Sequence, residues 1–272
     1  MKKATLGLLI FFACFILLIQ CKDPVSNNEP TYKLVWSDEF DGESIDKNSW
    51  NFWIGPAYNY ELQYYTDSEK NAFIKDGQLH LQAHRESFNG YNYTSARIST
   101  DSTRIGWEQG RFEARIKMPE GTGFWPAFWL MPMSEIGWPK GGEIDIMEYR
   151  SNQPYTTTGA VHFWKEGCEG TNAQCMDYYV ASHTVQDVKL SDEFHTYALE
   201  WSDTELVWYL DDTPFQRVLI DEMGAGYDPF SSPFYIILNL AVGGTFVDPP
   251  DQSTPFPQSL IVDYVRVYQM EN

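Results

Sequence analysis

Positive charge is scarce in this sequence. Lys and Arg number 19 against 38 Asp and Glu, a formal net charge of −19, and such a surface repels phosphate backbones and anionic lipid headgroups. Nucleic acid is a poor partner for it. Long apolar runs are also missing: the uncharged stretch from Leu6 to Ile19 spans about 14 residues, short of the roughly 20 that a membrane-spanning helix needs. No stretch repeats apolar residues with the 3.6 period of a long amphipathic helix. The common catalytic signatures are absent too, with no zinc-type His-Glu-x-x-His, no phosphate loop and no Gly-x-Ser-x-Gly elbow. The five histidines, His80 and His84 among them, form no metal-ligand spacing.

Lys2 and Lys3 ahead of the short apolar run read as an export signal. It ends at Cys21, and Leu18-Ile19-Gln20-Cys21 resembles a bacterial lipoprotein box, in which the cysteine is diacylated and becomes the mature N-terminus. Gln20 departs from the small residue usual there; an ordinary cleaved signal or a retained anchor are the alternatives. Residues 1–20 are thus assigned to a lipoprotein-type signal, and 21–31, with Pro24, Ser26, Asn27 and Asn28, to a polar tether. The location this implies is the bacterial envelope, at the surface of the outer membrane. Membrane contact would be limited to the lipid on Cys21.

Of the four cysteines, Cys14 lies in the signal and Cys21 at the cleavage point, leaving Cys168 and Cys175 in the folded part. Two thiols closing a short loop in an exported chain suggest one disulfide, with about 2.5 kcal/mol of stabilisation in the chain-entropy picture. Two free thiols are the alternative.

From about Tyr32 the chain is dominated by short β-like runs punctuated by Gly, Pro, Asn and Asp, among them 78–83, 110–117 and 260–268. Phe194 to Asp211 alternates over two runs joined at Ser202-Asp203-Thr204, and Asp211-Asp212 opens another turn, which is hairpin grammar. No composition break or repeat divides residues 32–272, so one antiparallel sandwich fits. Aromatics are abundant, with 10 Trp and 17 Tyr, and serve as core or as flat platforms for sugar rings.

One segment carries unusual chemistry: Glu143-Ile-Asp145-Ile-Met-Glu148, where acids interrupt an apolar strand-like run. In a regular strand Glu143 and Asp145 share a face and Glu148 points to the other. One extra residue, a bulge near Ile146-Met147, returns Glu148 to the first face. Three carboxylates then crowd one surface and repel one another. Glu143 and Glu148 are effectively four strand steps apart, roughly 13 Å between backbones, and inward-leaning side chains can reach the ~5–5.5 Å carboxyl gap of retaining glycosidases. An exposed or cation-binding acidic strand is the alternative from spacing alone.

Glu143-Ile-Asp-Ile-Met-Glu148 resembles the bulged signature of glycoside hydrolase family 16, the form similar to laminarinases and related β-glucanases. The resemblance runs from Trp36-Ser-Asp-Glu-Phe40 to Val262-Asp-Tyr-Val-Arg-Val-Tyr268 and includes Glu61-Leu-Gln-Tyr-Tyr-Thr66, Gly123-Phe-Trp-Pro-Ala-Phe-Trp-Leu-Met-Pro132 and Leu238-Asn-Leu-Ala-Val-Gly-Gly244. It implies an all-β fold, a concanavalin-like β-jelly-roll sandwich of two curved antiparallel sheets with a concave substrate cleft. By motif position it makes Glu143 the nucleophile, Asp145 its helper and Glu148 the general acid/base. Trp138 resembles the sugar platform beside the scission point, with Trp125 and Trp129 as further platforms or as core. Asn59 and Arg97 match polar donors on the non-reducing side, and His162 falls near the leaving-group side.

Two features depart from the pattern. Thr245-Phe246 stands where Asn-Trp is expected, which puts the cleft wall at Phe246 and the linkage preference in question, and the segment carrying Cys168 and Cys175 is an insertion. Glu39 and Asp263 match positions that hold a structural calcium in many relatives, or are simple surface carboxylates. No cofactor is expected for catalysis. The resemblance implies a monomeric endo-acting retaining enzyme on β-1,3-containing glucans, laminarin-type or mixed-linkage. A surface lectin-like glycan binder and a galactanase of agarase or carrageenase type are the competing readings. Three crowded acids argue against pure binding.

Overall fold

The computed structural model describes residues 31–101, 105–224 and 229–271. The lipoprotein box at Cys21 and residues 21–30 of the tether lie outside them. Among the described residues the strands form two sheets, one of eleven strands and one of seven, antiparallel except where Gln63–Tyr65 runs alongside Tyr91–Ser95. The expected two-layer all-β sandwich is the observed fold. No helix among the described residues is long and apolar enough to cross a membrane.

The period-2 patterns explain the layers. In Gly110–Lys117 the residues Phe112, Ala114 and Ile116 turn inward, and in the long C-terminal strand Gln258–Met270 so do Leu260, Val262, Val265 and Val267. The step from 262 to 265 breaks strict alternation because the register slips between Val262 and Tyr264, where Asp263 is inserted. These side chains meet Phe124, Phe128, Leu130, Ile236, Leu238 and Leu240 from the seven-stranded sheet in one continuous core. The Phe194–Asp211 run forms the strands His195–Trp201 and Glu205–Leu210, and the turn at Asp211 leads into Thr213–Leu219.

The seven-stranded sheet runs in the order Met176–Thr184, Thr156–Trp164, Glu143–Tyr149, Phe124–Pro132, Phe234–Val242, Arg97–Ser99, Asn51–Phe52. Its inner face belongs to the core. Its outer face gathers Trp125 and Trp129, the three acids and His162, which alternate with core residues along their strands. Asn172–Cys175, a single α-helical turn, lies in the insertion, and Cys168 and Cys175 are joined as a disulfide with Cα atoms 5.5 Å apart.

Candidate active site

The acidic strand carries the bulge. Asp145 pairs with Ala160 and Glu148 with Thr158, so between these pairs the two residues Ile146 and Met147 face the single Gly159. On the other side Asp145 pairs with Trp129 and Met147 with Phe128, which places the extra residue at Ile146. Ile144, Ile146, Met147 and Tyr149 all enter the core. Two consecutive apolar residues face inward, and the alternation beyond them returns Glu148 to the face of Glu143 and Asp145.

A bulge takes backbone groups out of the ladder and leaves them in need of other partners. The carbonyl of Asp145 receives the indole N–H of Trp208 at 2.8 Å, a fully buried side chain from the opposite sheet. That ring fits only because residue 159 is glycine: a Cβ there would lie 2.5 Å from Trp208 Cδ1. The bulge is thus held from inside the core.

On the cleft side each acid has its own partner. The Trp125 indole donates to Glu148 at 3.0 Å, the Trp138 side chain comes close enough to Glu143 to lower its affinity for a proton, and His162 Nε2 lies 3.3 Å from Asp145 Oδ2. Carboxyl oxygens of Glu143 and Asp145 lie within 4.8 Å of each other. Burial pushes all three carboxyls up. Glu143 rises to about 8, through burial first and then the charge of Asp145, while His162 and Trp138 act the other way. Glu148 rises to about 8 through burial and the charges of Asp145 and Glu143, against the Trp125 hydrogen bond. Asp145 rises to about 7, through burial. Such a cluster shares protons and titrates as a unit, with one carboxyl kept protonated near neutral pH.

The predicted sugar-contacting residues surround this cluster. Trp138 is exposed at the tip of the segment before Glu143, and Trp125 and Trp129 are half-buried on the outer face, outside the core. Phe246 packs on Trp125 with ring centroids 5.0 Å apart, and the Arg150 guanidinium lies 3.8 Å from its centre. Arg97 lies over two rings, Trp129 at 4.7 Å and Trp53 at 5.2 Å. Asn59 is exposed at the rim with a left-handed φ of 61°, and its carbonyl accepts the Thr245 N–H at 2.9 Å. That contact joins the Asn59 loop to the Phe246 loop.

Several contributors escape the sequence reading. Asn239 accepts the Trp129 indole N–H at 2.7 Å and donates to Tyr65 Oη at 3.3 Å. Tyr65 and Gln63 both donate to Glu61, at 3.0 and 2.6 Å. The Glu61-Leu-Gln-Tyr-Tyr-Thr66 motif therefore works as a network fixing Trp129 from below.

Glu39 and Asp263, the residues matching the structural-calcium positions of relatives, are each paired with an arginine on the eleven-stranded sheet. Arg266 binds Glu39 bidentately at 2.7 and 2.9 Å, and Arg115 binds Asp263 at 2.7 Å. Among the described residues one group of three ligand atoms lies close enough to hold a metal: Glu143, Asp145 and His162, within 4.8 Å of one another. Two of these, Glu143 and Asp145, belong to the carboxyl cluster itself.

A two-layer β sandwich whose outer face presents a carboxylate cluster among tryptophans defines a glycoside-cleaving class of protein. The family model described as "Glycosyl hydrolases family 16" matches residues 59–264, and the chain belongs to that family. It is 36% identical to a beta-glucanase of Rhodothermus marinus over 265 residues, covering 90% of this chain and 87% of the relative. A glucan endo-1,3-beta-glucosidase of Cryptopygus antarcticus is 38% identical over 86% of this chain and 90% of its own length. The catalytic domain of an endo-1,3-beta-glucanase (laminarinase) from Thermotoga petrophila superposes with a TM-score of 0.80 at 38% identity, covering 90% of this chain and all of that one.

Proposed function

We propose that the chain is an endo-acting, retaining β-glucanase that hydrolyses glucans containing β-1,3 bonds. The observation that carries this is the bulged strand, which puts three carboxyls of raised affinity for protons on one face, each held by a different cleft side chain. The cluster shares its protons, and the reaction uses the form in which Glu148 holds the proton that a leaving glycosidic oxygen needs and Glu143 is ionised. Glu143 attacks the anomeric carbon, and the bond to the leaving sugar breaks as Glu148 protonates its oxygen. Water, deprotonated by Glu148, then releases the glycosyl group from Glu143. Asp145 stands between Glu143 and His162, its carboxyl within 4.8 Å of Glu143 and 3.3 Å from His162 Nε2. The relatives named beta-glucanase and endo-1,3-beta-glucosidase support the substrate class.

On linkage, the reading extends to mixed β-1,3/1,4-glucan as well as laminarin-type glucan. Phe246 offers less stacking area than Trp and no indole donor, and its ring leans on Trp125, so the wall there makes a weaker demand for a continuous β-1,3 chain. We also place the mature protein as a monomer on a bacterial envelope through lipid on Cys21; labelling by a fatty-acid analogue that survives Cys21→Ala would contradict this.

The test is reducing-sugar release from laminarin-type glucan, mixed-linkage glucan, galactan and cellulose by the wild type and by Glu143→Gln. Release from the first two alone, abolished by the substitution, is the expected result. Release from galactan but neither glucan would overturn the substrate class, and near-normal turnover by Glu143→Gln would move the nucleophile elsewhere.

A further inference from the structure

The disulfide-closed insertion has no part in the chemistry above, yet it reaches the active site. Strand Thr156–Trp164 ends at the Trp164 ring, the insertion follows, and the chain returns in Met176–Thr184 with Met176 paired to Trp164. Between these anchors Lys165 N–H bonds the Cys175 carbonyl at 2.7 Å, and Cys175 is fully buried. The Gly170 N–H is directed to Cys175 Sγ at 3.1 Å, and Gln174 Oε1 accepts the Thr171 N–H at 3.0 Å. These contacts fix the one helical turn Asn172–Cys175, which is far too short to hold its shape alone.

From that turn Asn172 Nδ2 donates to the backbone carbonyl of Trp138 at 2.7 Å. Two residues further along the same loop, the Lys140 ammonium lies 4.5 Å over the Trp164 ring. The Trp138 loop is thus tied to the insertion side by a hydrogen bond and a cation–π contact. Its own backbone bonds are confined to the base of the loop, Gly141 N–H to Gly137 O at 3.2 Å and Gly142 N–H to Pro139 O at 3.1 Å. Trp138 is 38% exposed, so little packing fixes its ring. Yet it stands close enough to Glu143 to lower that carboxyl's affinity for a proton.

We propose that the Cys168–Cys175 insertion is a brace for the sugar platform, with Asn172 as a positioning residue that holds the Trp138 carbonyl so that the indole stays on Glu143 and over the sugar next to the scissile bond. The sugar-platform part rests on the glucanase reading; the placement of Trp138 by Asn172 does not. The disulfide acts one step further back, by keeping the Asn172 turn formed.

The experiment uses the exported chain labelled with 5-fluorotryptophan, the Trp138 resonance being assigned by its loss in Trp138→Phe. Asn172→Asp has the same shape and no N–H to donate. It should shift or broaden the Trp138 ¹⁹F line while leaving the other tryptophan lines in place, and Cys168→Ser/Cys175→Ser should move the same line. With soluble β-1,3-glucan, kcat/KM should fall about fivefold, the worth of one neutral hydrogen bond, with most of the loss in KM. A wild-type Trp138 line and wild-type kinetics in Asn172→Asp would overturn the brace. If the wild type itself turned over no β-glucan, the glucanase reading would fall, and the ¹⁹F line, which needs no substrate, would still decide whether Asn172 positions Trp138.

Discussion

The Trp125 indole donates to the Glu148 carboxylate at 3.0 Å from a position two residues before Ala127, the residue paired with Glu148 across the strands. An aromatic platform and a proton donor are therefore one unit. The N–H stabilises the charged form of Glu148, so it holds the carboxyl below the value that burial and its acidic neighbours would otherwise impose.

Trp125→Phe keeps a ring against Phe246 and removes the donor. The Glu148 pKa then rises, and the basic limb of the pH–kcat/KM profile moves to higher pH. Rates measured from pH 5 to 10 on one soluble glucan check this, and a limb moving toward lower pH would contradict it.

The carboxyl cluster makes the folded state bind protons more tightly than the unfolded chain. Glu143 and Glu148 rise to about 8 from an ordinary value near 4.5, so between these two values the native state carries more protons, and stability falls as pH rises through that window. Glu148→Gln removes one buried acid and relieves the others. It should stabilise the protein at pH 7.5, by on the order of 1–3 kcal/mol, and have little effect at pH 4. Urea unfolding at the two pH values measures the difference.

Gly159→Ala forces a methyl against Trp208 at the back of the bulge. The overpacking should cost about 1–3 kcal/mol and lower kcat as the Asp145 carbonyl loses its grip. Thermal unfolding together with single-substrate kinetics tests both effects. An unchanged kcat would separate the bulge from the core contact.

Phe246→Trp restores a larger platform beside Trp125 and Arg150. The ratio of initial rates on mixed-linkage glucan to those on laminarin-type glucan should fall. A ratio that stays constant would show that this wall does not read linkage.

The acid spacing made the bulge legible before any coordinates, because only an inserted residue near Ile146-Met147 can bring Glu148 beside Glu143. The alternating runs 110–117 and 260–268 likewise announced their strands. Trp208 was not legible: its partner is a backbone carbonyl on the other sheet, and backbone acceptors leave no mark in composition. Asn239 was hidden for a related reason, since its bonds to Trp129 and Tyr65 join segments 110 and 174 residues apart in the chain. The arginine partners of Glu39 and Asp263, Arg266 and Arg115, lie 227 and 148 residues away, so neither pair left a sign in the sequence.

The central claim, a double displacement through Glu143, is tested most directly by the anomeric configuration of the first product. Proton NMR during the first turnovers of a soluble β-1,3-glucan should show the β-anomer forming before mutarotation populates the α-anomer. Initial appearance of the α-anomer would mean that water attacks directly, and would contradict a covalent intermediate on Glu143.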